Sequence, residues 1–135
     1  MPYELTWEPR GVYRRYFGHV TIAERRESLE RICADRRFDR LLYTITDSLG
    51  AQSYQVSDED TRETAALHVG PLVTNPNIVM AAVAVDERIV AAIRHFISLG
   101  FTRQPYRLFS TVAEARDWIE QVTSLRHTEH VTPRR

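Results

Sequence analysis

Residues 78–85, IVMAAVAV, constrain the fold more than any other stretch of this chain. The run is continuously apolar, so it has no side to turn toward water. A strand of that kind is covered on both faces, as in a parallel sheet. It is also far too short to cross a membrane. Asn75-Pro76-Asn77 makes a turn before it, and Asp86 caps a helix after it. Strand alternation predicts Val79, Ala81, Val83 and Val85 on one face, with Ile78, Met80, Ala82 and Ala84 on the other. The small side chains of Ala82 and Ala84 allow a helix to approach closely. In the helix that follows, Ile89, Val90, Ile93, Phe96 and Ile97 form one buried stripe, and Gly100 stops it.

The remaining elements fit around that strand. Tyr3–Trp7 and residues 12–17 alternate polar and apolar, with EPRG between them, which predicts a hairpin. Thr21 and Glu24 form a capping box that opens a helix near Ile22. Ile22, Leu29, Ile32 and Cys33 share its apolar face. DRRFDR reads as a polar turn and LLYTIT as a strand. Ser57, followed by Asp58, Glu59 and Asp60, is a helix start, with acids placed at the positive end of the helix dipole. That helix should carry Ala65 and a core-facing Leu67, and Gly70-Pro71 should end or kink it. Tyr106–Phe109 is a short strand. Thr111 with Glu114 caps a last helix lined by Val112, Ala115, Trp118, Ile119 and Val122. From residue 123 the apolar rhythm stops, so residues 1–122 are expected as one domain and 123–135 as a flexible tail. The expected fold is α/β: a mixed five-stranded sheet, an antiparallel hairpin plus parallel strands, covered by four helices.

Composition narrows the chemistry. The formal net charge is 0, which gives no electrostatic reason to expect nucleic acid or an acidic membrane as partner. All the basic residues are Arg; without Lys there is no Schiff base and no phosphate-loop lysine. The single Cys33 cannot form an internal disulfide. His19, His68, His95, His127 and His130 lack metal-binding spacing, no glycine-rich phosphate loop follows a strand, and no Ser/His/Asp or Cys/His set assembles. Neither a cofactor, a metal nor an enzyme is therefore expected. MPYELTWEPR lacks the pattern of a secretory signal, and no apolar stretch has the length of a span, so a cytoplasmic protein is the expectation.

The order of these elements, with YELTWEPRGVYRRYFG at the front, RFDRLLYTITD in the middle and TNPNIVMAAVAVDE later, resembles the SpoIIAA-like family of small bacterial proteins, whose fold is that of STAS domains. The resemblance spans roughly residues 3–120. It implies a non-enzymatic domain that binds a protein partner or a second copy of itself. Antagonists of this type are switched by phosphorylation of a serine in an Asp-Ser-Ser/Thr-Gly phrase after the third strand. Other relatives hold small or lipid-like ligands.

Asp47-Ser48-Leu49-Gly50 matches that phrase at three of its four positions, which makes Ser48 a candidate phosphoacceptor. Against it, Asp47 and Ser48 also suit a plain turn at a strand end. Ser57 is a second candidate, since helix N-termini favour phosphate, although the three acids after it repel the added charge and a capping role suits it better. Ligands of parallel sheets sit outside the carboxyl ends of the strands. The connection over residues 47–56 is long for such a unit. Asp47, Ser48, Ser53, Tyr54 and Ser57 are therefore the candidate ligand or partner loop, with a small apolar ligand as the alternative to a protein partner. The pocket is expected between this loop, the helix starting at Ser57 and the Gly70-Pro71 break.

Overall fold

The computed structural model describes residues 3–55, 57–100 and 104–131. Strands β1 (Tyr3–Trp7) and β2 (Gly11–Val20) form the hairpin. Helix α1 (Ile22–Ala34) follows, opened by the Thr21–Glu24 capping box. A short 3-10 turn, Arg36–Arg40, leads into β3 (Tyr43–Tyr54). Then come α2 (Asp58–Thr74), β4 (Val79–Val83), α3 (Glu87–Ser98), β5 (Tyr106–Phe109) and α4 (Val112–Val131). The sheet has five strands in the order β1-β2-β3-β4-β5. Only β1 and β2 are antiparallel; the other neighbours are parallel.

The central strand behaves as its residues dictate. All five residues of β4 are buried. Val79, Ala81 and Val83 pack with Ile45 against Ala115 and Ile119 of α4. On the opposite face, Ala82 and Ala84 sit under Ile89 and Ile93 of α3. Ile78 and Met80 join Val12, Ile32 and Leu72, so α1 and α2 cover that face as well. Helix α3 begins where Asp86 accepts from the Arg88 and Ile89 amides, and it ends at Gly100, whose φ of 64° suits glycine.

Several expectations fail, each for a tertiary reason. Residues 47–54 are strand and not loop, because β3 continues beside β2 as far as the Val20–Tyr54 pair. The ladder shifts register between Arg15 and Phe17 and again between Gly18 and His19, which absorbs the irregular sequence. Gly70-Pro71 does not end α2; the helix continues to Thr74 with Pro71 inside it. Proline costs that helix a hydrogen bond to the Leu67 carbonyl. The extra turn buries Leu72 against Phe38, Leu41, Ile78 and Met80. Leu67 is half exposed, so water reaches the side of the helix where the bond is lost, and this residue does not face the core. Val85 lies beyond the strand and is 62% exposed. The polar DRRFDR turn hides Phe38, and Asn75 Nδ2 ties it down by donating to the Phe38 and Leu41 carbonyls at 2.8 and 2.9 Å.

Candidate functional site

The face covered by α1, α2 and α3 is not solidly packed. Its cause is a charge at an inward strand position. In β2, Val12, Arg14 and Tyr16 alternate toward this face, and Arg14 carries its guanidinium under α1. Nη1 donates to Ser28 Oγ and Nη2 to Thr46 Oγ1, each at 2.9 Å. Ser28 is fully buried and spends its own proton on the Arg25 carbonyl at 2.8 Å, so it accepts from the Tyr16 hydroxyl, 2.9 Å away. The guanidinium carbon lies 5.2 Å from the Tyr16 ring centroid, within cation–π range. Arg14 Nε is buried without a hydrogen-bond partner.

Next to Arg14 lies a cavity of about 70 Å³. Strand side chains Thr46, Ala82 and Tyr106 form its floor, and Leu29, Thr61, Ile93 and Phe96 form its helical walls. Tyr54 closes one side. Its ring meets Tyr16 edge-on at 5.8 Å, Arg25 lies 5.2 Å over it, and its hydroxyl bonds to Ser48. A smaller cavity of about 30 Å³ shares Arg14, Leu29, Thr46 and Tyr106 with the first and reaches Pro71 and Leu72. Burial pushes the Tyr54 and Tyr106 hydroxyls above the ordinary tyrosine range, so both remain protonated donors at neutral pH.

The expected site residues divide. Tyr54 lines the cavity, and Ser48 touches it only through Tyr54. Ser48 is 2% exposed and lies inside β3. Asp47 faces α4 instead, where its carboxylate accepts from the Tyr13 hydroxyl and the Leu49 amide. Burial and that carboxylate push Tyr13 up to about 12. Ser53 is exposed, 2.8 Å from His19 Nδ1. Ser57 is exposed ahead of α2, where its carbonyl accepts from the Thr61 amide at 3.0 Å. Pro71 lines the smaller cavity, although the helix does not break there.

The pairing of His19 with Ser53 brings a nucleophile type and a base type together across two strands. Among the described residues no acid orients that imidazole, and the pair sits in the open on the sheet, without the third member that activates such a serine. Cys33 is partly buried, and burial pushes its thiol away from the reactive thiolate. Among the described residues, no group of His, Cys, Asp and Glu could hold a metal ion, and no helix is long and apolar enough to cross a membrane. The side chains of His68, His127 and His130 lie outside the described residues.

Sequence reasoning passed over Arg14, Tyr16, Thr46 and Tyr106. A signal for Arg14 does exist in GVYRRYFG. Alternation with Val12 and Tyr16 turns one of the two adjacent arginines inward, where a cation is rare without a partner.

No family model matches this chain, and no curated protein matches its sequence. Solved structures do match. The anti-sigma factor antagonist SpoIIAA, in its unphosphorylated form, superposes with a TM-score of 0.60 at 13% identity, over 87% of this chain and 97% of that one. The fold is SpoIIAA-like. An uncharacterized DUF3478-family protein from Shewanella loihica, also with a SpoIIAA-like fold, gives a TM-score of 0.54 at 14% identity, over 87% of this chain and 91% of its own. On this SpoIIAA-like frame, the cavity lies between the sheet and the helices α1, α2 and α3.

Proposed function

We propose that this chain is a non-enzymatic binding domain of the STAS type, acting through a protein partner or its own homodimer. The observation that carries the reading is the SpoIIAA-like fold, since SpoIIAA is an anti-sigma factor antagonist, a role exercised on another protein. Two exposed apolar side chains support it. Leu49 is 44% and Val85 62% exposed, and both lie just past Asp47–Val83, the last β3–β4 pair. Neighbouring exposed apolar groups of this kind mark contact surfaces. A phosphorylation switch, if this domain has one, rests on Ser57, which is exposed, and not on Ser48, which is sealed under Tyr54.

The test is light scattering and partner capture with the full chain, wild type beside a Leu49→Glu, Val85→Glu double variant. The variant should lose the self-association or the captured protein while keeping its fold by circular dichroism. A wild-type chain that is monomeric at all concentrations and retains no protein sinks the reading. So does turnover that Ser53→Ala abolishes. Peptide mass spectrometry of protein from its native cell should place any phosphate on Ser57.

A second reading is favoured by the cavity itself: a pocket for a small, partly apolar ligand beside Tyr54. Native mass spectrometry of gently purified protein should then show a small co-purifying molecule, which Ile93→Trp, by filling the cavity, should displace.

A further inference from the structure

Arg14 presents an unresolved charge. A guanidinium cannot lose its proton in a protein. Arg14 is half-buried, so its guanidinium is only partly hydrated where it borders the cavity. Among the described residues no carboxylate reaches it; its hydrogen-bond partners are the Ser28 and Thr46 hydroxyls, and the Tyr16 ring lies within cation–π range. The remaining N–H groups of the guanidinium have no acceptor, Nε included.

A second group points the same way. Tyr106 lines both cavities, yet its hydroxyl makes no hydrogen bond to any described residue. Burial keeps it protonated, so it can donate to a group inside the cavity. Arg25 adds a second positive charge to the lining. Donors and cations therefore converge on one space, and among the described residues no carboxylate lines it. The rest of the lining is apolar: Leu29, Ala82, Ile93 and Phe96.

Size selects among anions. A cavity of 70 Å³ holds about five waters at roughly 10–15 Å³ each. Drug-sized ligands occupy about 300–1,000 Å³, so a long acyl chain does not fit without opening the fold. A bare inorganic ion would leave the apolar wall uncovered.

We propose that the cavity beneath α1, α2 and α3 binds a short-chain organic carboxylate, held at its head by Arg14 and Tyr106 and at its tail by Leu29, Ile93 and Phe96. This deepens the second reading above by naming the ligand class. The carboxylate supplies the missing counter-ion, and charge-assisted bonds to it are the strong ones. Occupancy thereby links a small metabolite to the stability of the face that α1, α2 and α3 share.

The experiment uses the full chain dialysed into chloride buffer. Sodium butyrate, butyramide and sodium chloride at matched ionic strength are titrated in turn, with melting temperature and calorimetry as readouts. Butyrate should raise the melting temperature progressively, while butyramide and chloride leave it unchanged. Tyr106→Phe keeps the shape and should weaken butyrate about tenfold. Arg14→Gln should weaken it about a hundredfold. An equal response to butyramide overturns the anionic head but leaves an apolar pocket standing. An equal response to chloride overturns the organic ligand. No response to butyrate, or one that both variants leave intact, overturns the proposal outright.

Discussion

The two faces of the sheet are built from the same strands and solve different problems. On the α4 face, Ile45, Val79, Ala81 and Val83 meet Ala115 and Ile119, and every one of these is buried. Its polar groups are paired: Tyr13 with the buried Asp47, and Glu8 with both Tyr43 and Arg116. The opposite face places a guanidinium, buried hydroxyls and tyrosines among its apolar residues, and leaves two hollows that share lining residues. Close packing is what stabilises a domain. A face that forgoes it in favour of unpaired donors is arranged for something other than stability. The contrast predicts that the α4 face is energetically sensitive and the Arg14 face tolerant.

The largest effect should come from Ile45→Ala. Ile45 is fully buried in the α4 cluster, and its truncation leaves a cavity that the flanking strands cannot close. The loss should be about 2–5 kcal/mol, a fall in melting temperature on the order of 10 °C. Thermal melts of this variant beside Leu29→Ala, which enlarges an existing hollow, sharpen the comparison. If Leu29→Ala costs as much, the two faces are not different in kind.

Gly11→Ala should come next. A Cβ there would stand 2.2 Å from Cε1 of the Tyr43 ring. The ring would have to swing aside and release its bond to Glu8. Overpacking of this sort costs about 1–3 kcal/mol, read as a lower urea midpoint. The double variant Gly11→Ala, Tyr43→Ala should cost less than the two single losses added together, because it removes the clash.

How far each face was legible in the sequence follows the same division. The α4 face depends on local rules: the alternation of residues 78–85, the Thr111–Glu114 box and the stripe of α4. All of these lie within a few residues of one another and can be read directly. The Arg14 face depends on distant partners. Residues 47–54 look like loop because their polar composition is judged alone, yet β2 supplies their hydrogen bonds from some thirty residues away. Pro71 looks like a helix stop because the reward for continuing, the burial of Leu72, is tertiary. Asp47 and Ser48 are neighbours in one phrase, but strand alternation sends them to opposite faces. Tyr54 lines the cavity, while the residue that gives it chemical character, Arg14, was hidden as one arginine among many.

A smaller effect concerns alkaline pH. Tyr13 keeps its proton up to about 12 in the folded chain, against an ordinary value of 10.0. The unfolded chain ionises first, so stability is complete below pH 10 and falls as pH rises from 10 toward 12. Tyr54 and Tyr106, raised by burial, add to the fall from the other face. Tyr13→Phe should flatten the decline in part. Urea unfolding between pH 9 and about 11.5 would show it, and a variant curve parallel to wild type would mean that Tyr13 does not feel its buried setting.

The smallest change, and the sharpest break of the comparison, belongs to Arg14→Met. Loss of an ordinary large buried side chain is costly. Here methionine replaces the stem of the arginine and removes a cation that has no counter-ion among the described residues. Ser28 keeps its bonds to the Arg25 carbonyl and the Tyr16 hydroxyl. Thr46 loses its bond to Arg14 but borders the cavity, where water can serve it. Removing a buried charge in favour of a packed apolar group is often neutral or stabilising, so the net change should stay within about 1 kcal/mol. A loss like that of Ile45→Ala would show that Arg14 holds the sheet to α1, and that the polar face is as structural as the apolar one.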